Sequence, residues 1–281
     1  MKIYTHVCVD LDAVASVWAA QKFLLPVPPD KEVRFVPANW DGAGMEDDDI
    51  AIDIEAGGKG FKGVCGYDDT VHACFPEMMR IFACDANRRA MQSLMDFVEA
   101  QDTTGNAIKA LAPGLNPNVQ EVLYATNITA VMNALRAVHP NDDATLTRMM
   151  GQIFDGMLLA GLAKGRAQEE VSKAITTSRG LAAVVKDAKE FATNGVLFNS
   201  GVRVIIYVDG NNLGLTRAQG ETLRMDHPKI REVVEAAGEA DEWFAHPAGF
   251  LFCRGSRKAP AETPSKVDPL ALQSAIESLL P

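Results

Sequence analysis

Short apolar, β-branched runs alternate with amphipathic stretches through the first third of the chain, a pattern that predicts βα units and a parallel sheet. Ile3 to Val9 reads as the first strand, and Ala13 to Leu25 as the helix that packs back over it. Val33 to Pro37 reads as a second strand. Ile50 to Ile54 is a short buried third, introduced by the acidic turn Glu46 to Asp49 and followed by the Gly57, Gly58, Gly60 loop.

After a turn-rich segment from Gly63 to Asp69 the period changes to that of helices. Asn87 to Gln101 carries Met91, Leu94, Met95 and Val98 at helical spacing. Val119 to Val138 reads as another helix, and Ala144 to Ala163 as a third, capped by Asn141-Asp142-Asp143. Arg166 to Thr193 reads as helical until Asn194-Gly195 stops it. Beyond that, Val202 to Val208 and Gly249 to Cys253 read as strands, separated by the turn Asp209-Gly210-Asn211-Asn212. Ser256 to Pro264 reads as a loop, and Asp268 to Leu280 as a final short helix. The expected architecture is α/β: residues 1–195 form a parallel-sheet domain that includes a helical linker, and 196–281 a smaller α+β domain.

Composition narrows the class. At 281 residues and 47% hydrophobic, the chain is long enough for one large or two ordinary globular domains. No run reaches the roughly 18 uninterrupted apolar residues of a membrane span, and the N-terminus lacks a signal-peptide layout, so a cytoplasmic address and no membrane partner are expected. The five cysteines, Cys8, Cys65, Cys74, Cys84 and Cys253, show no CxxC spacing and read as reduced thiols. A net charge of −10 argues against coating long nucleic acid, which depends on surplus Lys and Arg, but leaves small anions open.

Candidate chemistry gathers at element ends. His6, Asp10, Asp12 and Ser16 follow one another out of the first strand, and an imidazole with two acids there is costly unless it holds a metal or does chemistry. On a continuous strand His6 and Asp10 share one face. Asp53 lies within the third strand, Asp102 closes the helix ending Glu99-Ala100-Gln101, and His72 is a further nitrogen ligand. Such mixed oxygen and nitrogen donors suit Mn2+ or Mg2+. Each residue also has a plain structural use: Asp10 and Asp12 as helix cap and solvated turn, Asp53 as the start of a turn, Asp68-Asp69 as a solvated turn. In the C-terminal part, His246 opens a strand, and Arg254, Ser256, Arg257 and Lys258 form a cationic run. Tyr67, Trp40 and Trp243 are candidates for stacking on a base, although core packing is the commoner fate of Trp.

The spacing His6-x3-Asp10-x-Asp12-x3-Ser16 before an apolar helix resembles the first motif of the DHH phosphoesterase superfamily. Asp53 in Ile50-Ala-Ile-Asp-Ile is similar to the second motif. The third is altered: Gly66-Tyr-Asp-Asp-Thr-Val-His-Ala-Cys74 has Asp69 where the first His belongs, with His72 four residues after Asp68. Phe97 to Gly105 resembles the fourth motif, with Asp102 as its acid. The similarity covers residues 1 to 105, and no GGGH run exists beyond.

The resemblance implies a DHH-like metal-binding catalytic domain and a substrate-binding second domain. It implies two Mn2+ or Mg2+ ions per chain, held by His6, Asp10, Asp12, Asp53, Asp68, His72 and Asp102. Asp12, Asp53 and His72 are the implied catalytic residues, and metal-activated water the nucleophile. His246, Arg254, Ser256, Arg257 and Lys258 would hold the substrate, a small phosphodiester, phosphomonoester or phosphoanhydride such as a nucleotide, pyrophosphate or short single-stranded nucleic acid. A homodimer stays open. Two alternatives remain: a haloacid-dehalogenase-like phosphatase with Asp10 as nucleophile, and a non-catalytic nucleotide- or anion-binding protein on a decayed phosphoesterase scaffold.

Overall fold

The computed structural model describes residues 2–24, 32–58, 73–188, 193–256 and 258–281. Its strands are β1 (Ile3–His6), β2 (Val33–Val36), β3 (Ile50–Ala51), β4 (Ile175–Thr176), β5 (Ala182–Lys186), β6 (Val204–Asp209), β7 (Asn212–Arg217), β8 (Phe244–Ala245) and β9 (Leu251–Arg254). Its helices are α1 (Leu11–Phe23), α2 (Cys74–Phe82), α3 (Asp85–Thr104), α4 (Ala107–Leu111), α5 (Pro117–Thr126), α6 (Ile128–Val138), α7 (Asp143–Val171), α8 (Thr193–Asn199), α9 (Pro228–Ala236) and α10 (Pro269–Glu277). The chain divides into two compact units, Met1–Leu162 and Ala163–Pro281.

In the first unit β1 lies between β2 and β3 and runs parallel to both, with Ile3 opposite Val33 on one side and Ile50 on the other. The parallel arrangement follows from the alternation of strand and helix, since parallel neighbours need crossover connections. Every residue of α1 from Leu11 to Ala20 is buried. That explains its lack of a polar stripe: a helix apolar all round belongs inside. Trp18 packs edge-on against Phe154 and Phe23, and the same core takes in Ile3, Phe75, Met79, Leu94 and Met150. Trp40 stacks on Tyr4 with ring centroids 4.6 Å apart, so it serves packing.

Several elements differ from the sequence expectation for local reasons. β1 stops at His6 rather than Val9, because Cys8 takes a positive φ of 57° that no strand continues through. The third strand ends at Ala51 and the chain turns at Asp53, whose φ is 56°. The helix expected over Val119 to Val138 is two, α5 and α6, with Asn127 ending the first and capping the second by accepting from the Ala130 amide at 2.9 Å. α2, α4, α8, β7, β8 and α9 are additions to the expected elements, and α8 runs through the Asn194-Gly195 pair expected to stop a helix. For α9 the signal is present in the sequence, since His227 caps the helix and Pro228 opens it.

The second unit is a six-stranded mixed sheet in the order β4-β5-β6-β7-β9-β8, in which only β5 and β6 are parallel. One face packs on α9 and α10 through Val204, Ile206, Leu215, Phe252, Ile230 and Ile276. α8 covers part of the other through Leu197 against Ala183, Val185 and Ile205. The stretch expected to stay helical from Arg166 to Thr193 leaves helix at Val171 and supplies β4 and β5 to this sheet. The apolar run Ala182–Val185 is a buried strand, which helical periodicity cannot distinguish from a buried helix segment. The compact unit that holds this sheet begins at Ala163. Among the described residues no helix is long and apolar enough to cross a membrane.

Candidate metal centre

The site forms at the carboxyl ends of β1 and β3, the edge at which open α/β sheets bind ligands. His6 is the last residue of β1. Its Nε2 lies 3.2 Å from Asp53 Oδ2 and 4.0 Å from Asp10 Oδ2, and its Nδ1 lies 2.9 Å from the Val7 carbonyl oxygen. One ligand atom from each of His6, Asp10 and Asp53 falls within 4.8 Å of the others, a span one cation can bridge. Asp10 reaches this group as the N-cap of α1, accepting from the Ala13 amide at 2.9 Å, and not as a strand neighbour of His6. The sharp turn at Cys8 brings it there.

Three non-glycine residues near this edge have left-handed backbone: Cys8, Asp53 and Ala56, with φ of 57°, 56° and 44°. Such strain persists only where the surroundings over-determine it. At Cys8 the clamp is visible. The Asp143 carboxylate, at the start of α7, accepts from the Cys8 amide at 2.8 Å and the Val9 amide at 3.3 Å, and the Arg136 guanidinium donates to the Val9 carbonyl oxygen. The local sequence makes Asp143 part of a capping cluster. Asp142 alone fills that role, accepting from the Thr145 amide at 2.9 Å, while Asp143 holds a loop some 135 residues away. Nothing in the local sequence carries that separation.

Asp12 stands apart from the expected ligand set. It is 3% exposed, and its two carboxylate oxygens accept from the Cys74 and Phe75 amides, each at 2.7 Å. It thus satisfies two of the orphan donors that begin α2 and places a negative charge at the helix's positive end. Glu99 does the same one residue earlier, accepting from the Ala73 amide at 3.1 Å. Ser16, on α1, is fully buried.

The electrostatics are those of crowded acids. Burial pushes the Asp12 carboxyl well up and the nearby Asp53 charge adds to this, against the lowering effect of the Phe75 and Cys74 amides. Asp102 is raised by burial and by the charges of Asp10, Asp53 and Glu99, which places it within the field of the group although outside the three-residue cluster. His6 is raised for a different reason. Its hydrogen bond to Asp53 lifts it to about 9 despite partial burial, with the Val7 carbonyl and the Asp10 charge assisting. Burial, and then the Asp12 charge, holds the Cys74 thiol protonated.

Asp68 and His72, expected as ligands, lie outside the described residues, as do Asp69, Tyr67 and Arg257. The remaining expected substrate contacts are in the second unit. Arg254 is 6% exposed and committed to its own fold: it donates to Glu242 at 2.7 Å, to the Thr263 carbonyl oxygen and to Thr263 Oγ1 at 3.0 Å, with Glu239 at 3.7 Å. A guanidinium so engaged is a staple rather than a substrate arm. Ser256 closes a local turn, accepting from the Ala259 amide at 3.1 Å, whereas Lys258 is exposed. His246 Nδ1 accepts from the Ala248 amide at 3.1 Å, which orients the ring at a hairpin turn. Trp243 is buried against Phe252.

No protein-family model matches the chain, and no curated protein matches it. Among solved structures it is similar to RecJ in complex with Mg2+ from Thermus thermophilus, at 10% identity over 99% of this chain and 49% of that one, with a TM-score of 0.31. It is also similar to the pGpG-specific phosphodiesterase PggH from Vibrio cholerae, at 9% identity, 99% and 97% coverage and a TM-score of 0.27. An uncharacterized protein from Helicobacter pylori matches at 10% identity, 99% and 98% coverage and a TM-score of 0.24. With each of these TM-scores below 0.5, the functional assignment rests on the residues around His6.

Proposed function

We propose that the first unit is a divalent-metal-dependent phosphoesterase centre of the DHH kind, acting on a small phosphodiester, phosphomonoester or phosphoanhydride. The observation that carries this reading is the convergence of His6 Nε2, Asp10 Oδ2 and Asp53 Oδ2 at the carboxyl ends of two parallel strands, on a loop whose strained backbone is clamped by Asp143. The donor set fits the metal. Two carboxylates and one imidazole suit Mn2+ or Mg2+, and the negative charge gathered by Asp10, Asp12, Asp53 and Asp102 is what a cation relieves.

His6, Asp10 and Asp53 hold the cation in this reading. Bound there, a divalent ion supplies a lowered pKa for water and polarisation of a phosphoryl oxygen. The protein's own groups do the rest: the Val7 carbonyl fixes the His6 ring through Nδ1 and leaves Nε2 facing the two carboxylates as the ligand atom, and Asp12 anchors the start of α2 beside them. A second cation, as the resemblance implies, draws on Asp68 and His72.

Calorimetric titration with Mn2+ tests the assignment. Wild-type protein takes up at least one ion per chain, Asp53→Asn weakens that binding by about tenfold or more, and the wild type hydrolyses bis(p-nitrophenyl) phosphate in Mn2+. Absence of any Mn2+ binding overturns the reading. Mn2+ uptake that depends on Asp53, without turnover of phosphodiester, p-nitrophenyl phosphate or pyrophosphate, identifies a binding protein on the same scaffold instead.

A further inference from the structure

The short helices ahead of α7 carry an apolar face left open among the described residues. Seven of the fourteen large apolar side chains exposed among those residues fall between Leu111 and Val138. On α5, Val119, Val122 and Leu123 stand at the i, i+3, i+4 spacing of a stripe that ordinarily turns inward, yet all three are exposed, Val122 by 62%. α5 has no buried residue and is ten residues long, a marginal length for a helix by itself. Its ties are polar: Gln120 Nε2 donates to the Leu115 carbonyl oxygen at 3.1 Å, and the Tyr124 hydroxyl donates to Asn106 Oδ1. α6 continues the pattern. Met132 is buried and Ile128 and Leu135 pack on the core, which leaves Val131, Ala134 and Val138 exposed on the outer flank, Val138 by 71%.

Charge is scarce over the same stretch. Twenty-one residues from Lys109 to Pro140 are exposed, and only Lys109 and Glu121 among them are charged, in a chain that is 23% charged. Glu121 lies about 200° round α5 from Val119 at 3.6 residues per turn, away from the stripe. The third charge, Arg136, is turned inward to the Val9 carbonyl oxygen. An apolar face without charge has the composition of a lasting interface, since interface cores are depleted of charged side chains and homodimer interfaces are more apolar than transient ones. The stretch is also of the right size, because an interface of standard area takes roughly 20–30 residues a side.

We propose that the outer face of α5 and α6 is the contact between two copies of this chain, related by a twofold axis. Charge selects the occupant. Two chains of net charge −10 repel each other over most of their surface, so they approach closely only where charge is absent, and an apolar stripe presented by both copies is its own complement. A membrane surface fits poorly, because interfacial helices hold anionic lipid through a row of Lys and Arg, and Lys109 is the only exposed cation from Lys109 to Pro140. The face shares no residue with the His6 cluster, and the dimer forms whether or not that cluster binds metal or hydrolyses anything.

The test is analytical ultracentrifugation of the full chain in EDTA, from about 1 to 100 µM. The wild type passes from monomer to dimer within that range or is dimeric throughout, and association tightens as NaCl rises from about 50 to 500 mM, because salt screens the mutual repulsion. A twofold contact repeats every residue, so Val122→Glu sets two new carboxylates at one apolar face and weakens association by roughly 100-fold or more. Val138→Glu acts in the same direction; both positions are exposed, and native circular dichroism verifies that the variants fold. Ile81→Glu and Leu270→Glu, at exposed apolar positions off this face, leave association unchanged. A chain that stays monomeric at every concentration overturns the proposal, including one that instead sediments with mixed phosphatidylcholine and phosphatidylserine vesicles and loses them in Val122→Glu. A dimer that survives both Val122→Glu and Val138→Glu, that Leu270→Glu dissolves instead, or that falls apart in high salt overturns it as well. Failure of Mn2+ binding or of phosphodiester hydrolysis bears on the His6 centre and leaves this result untouched.

Discussion

Replacing Asp12 separates two roles that the motif alone merges. As a ligand in the DHH-like pattern it would matter to metal binding and little to folding. The structure gives it a different duty, because both carboxylate oxygens accept buried backbone amides, Cys74 and Phe75, at 2.7 Å. In Asp12→Ala these two donors are left without partners at a buried helix start, at about 1–3 kcal/mol each. Part of this is recovered, since the carboxylate is itself disfavoured by burial and by Asp53. A net loss of about 3 kcal/mol is expected, which for a unit of this size lowers Tm by roughly 6–12 °C. Asp12→Asn keeps one acceptor and turns an NH2 toward the other amide, so it lies between wild type and Ala. The assay is differential scanning calorimetry in EDTA, paired with Mn2+ titration of the same samples. If both variants melt within about 2 °C of wild type while Mn2+ binding is lost, Asp12 is a ligand and the anchoring argument is refuted.

Three further outcomes follow from the geometry. In EDTA, His6 contributes stability that is fully present below its unfolded pKa of about 6.5 and is lost as pH rises through about 9; Tm therefore falls between about pH 7 and 10, and Asp53→Asn flattens that fall, whereas parallel curves would show that the pair does not form. Because a cation competes with that proton, Mn2+ affinity rises over the same range. Asp143→Ala frees the Cys8 and Val9 amides and costs about 1–3 kcal/mol, together with weaker Mn2+ binding, although Asp143 is no ligand; unchanged affinity would mean the loop keeps its shape unaided. Arg254→Ala leaves Glu239 and Glu242 without their cation and destabilises the second unit by about 3–5 kcal/mol, visible as a lower Tm, whereas a native Tm with lost substrate binding would return Arg254 to the substrate.

What could be read from the sequence and what could not divides along the range of the interactions concerned. The βα alternation, the buried α1 and the gathering of His6, Asp10 and Asp53 are legible because each depends on local period or on strand ends that a parallel sheet brings together. The route to the site is not. His6 and Asp10 are expected to share a strand face, yet they meet across a turn made by a cysteine at positive φ, a conformation that residue type does not announce. Asp12 shows the same limit: spacing fixes its place in a motif, but the two amides it accepts come from a helix start more than sixty residues on, which no pattern predicts. In the second unit the short run Ala182–Val185 reads as helical, and only its pairing with β6 decides otherwise. Arg254 looks available only because its acidic partners, Glu239 and Glu242, arrive by tertiary packing.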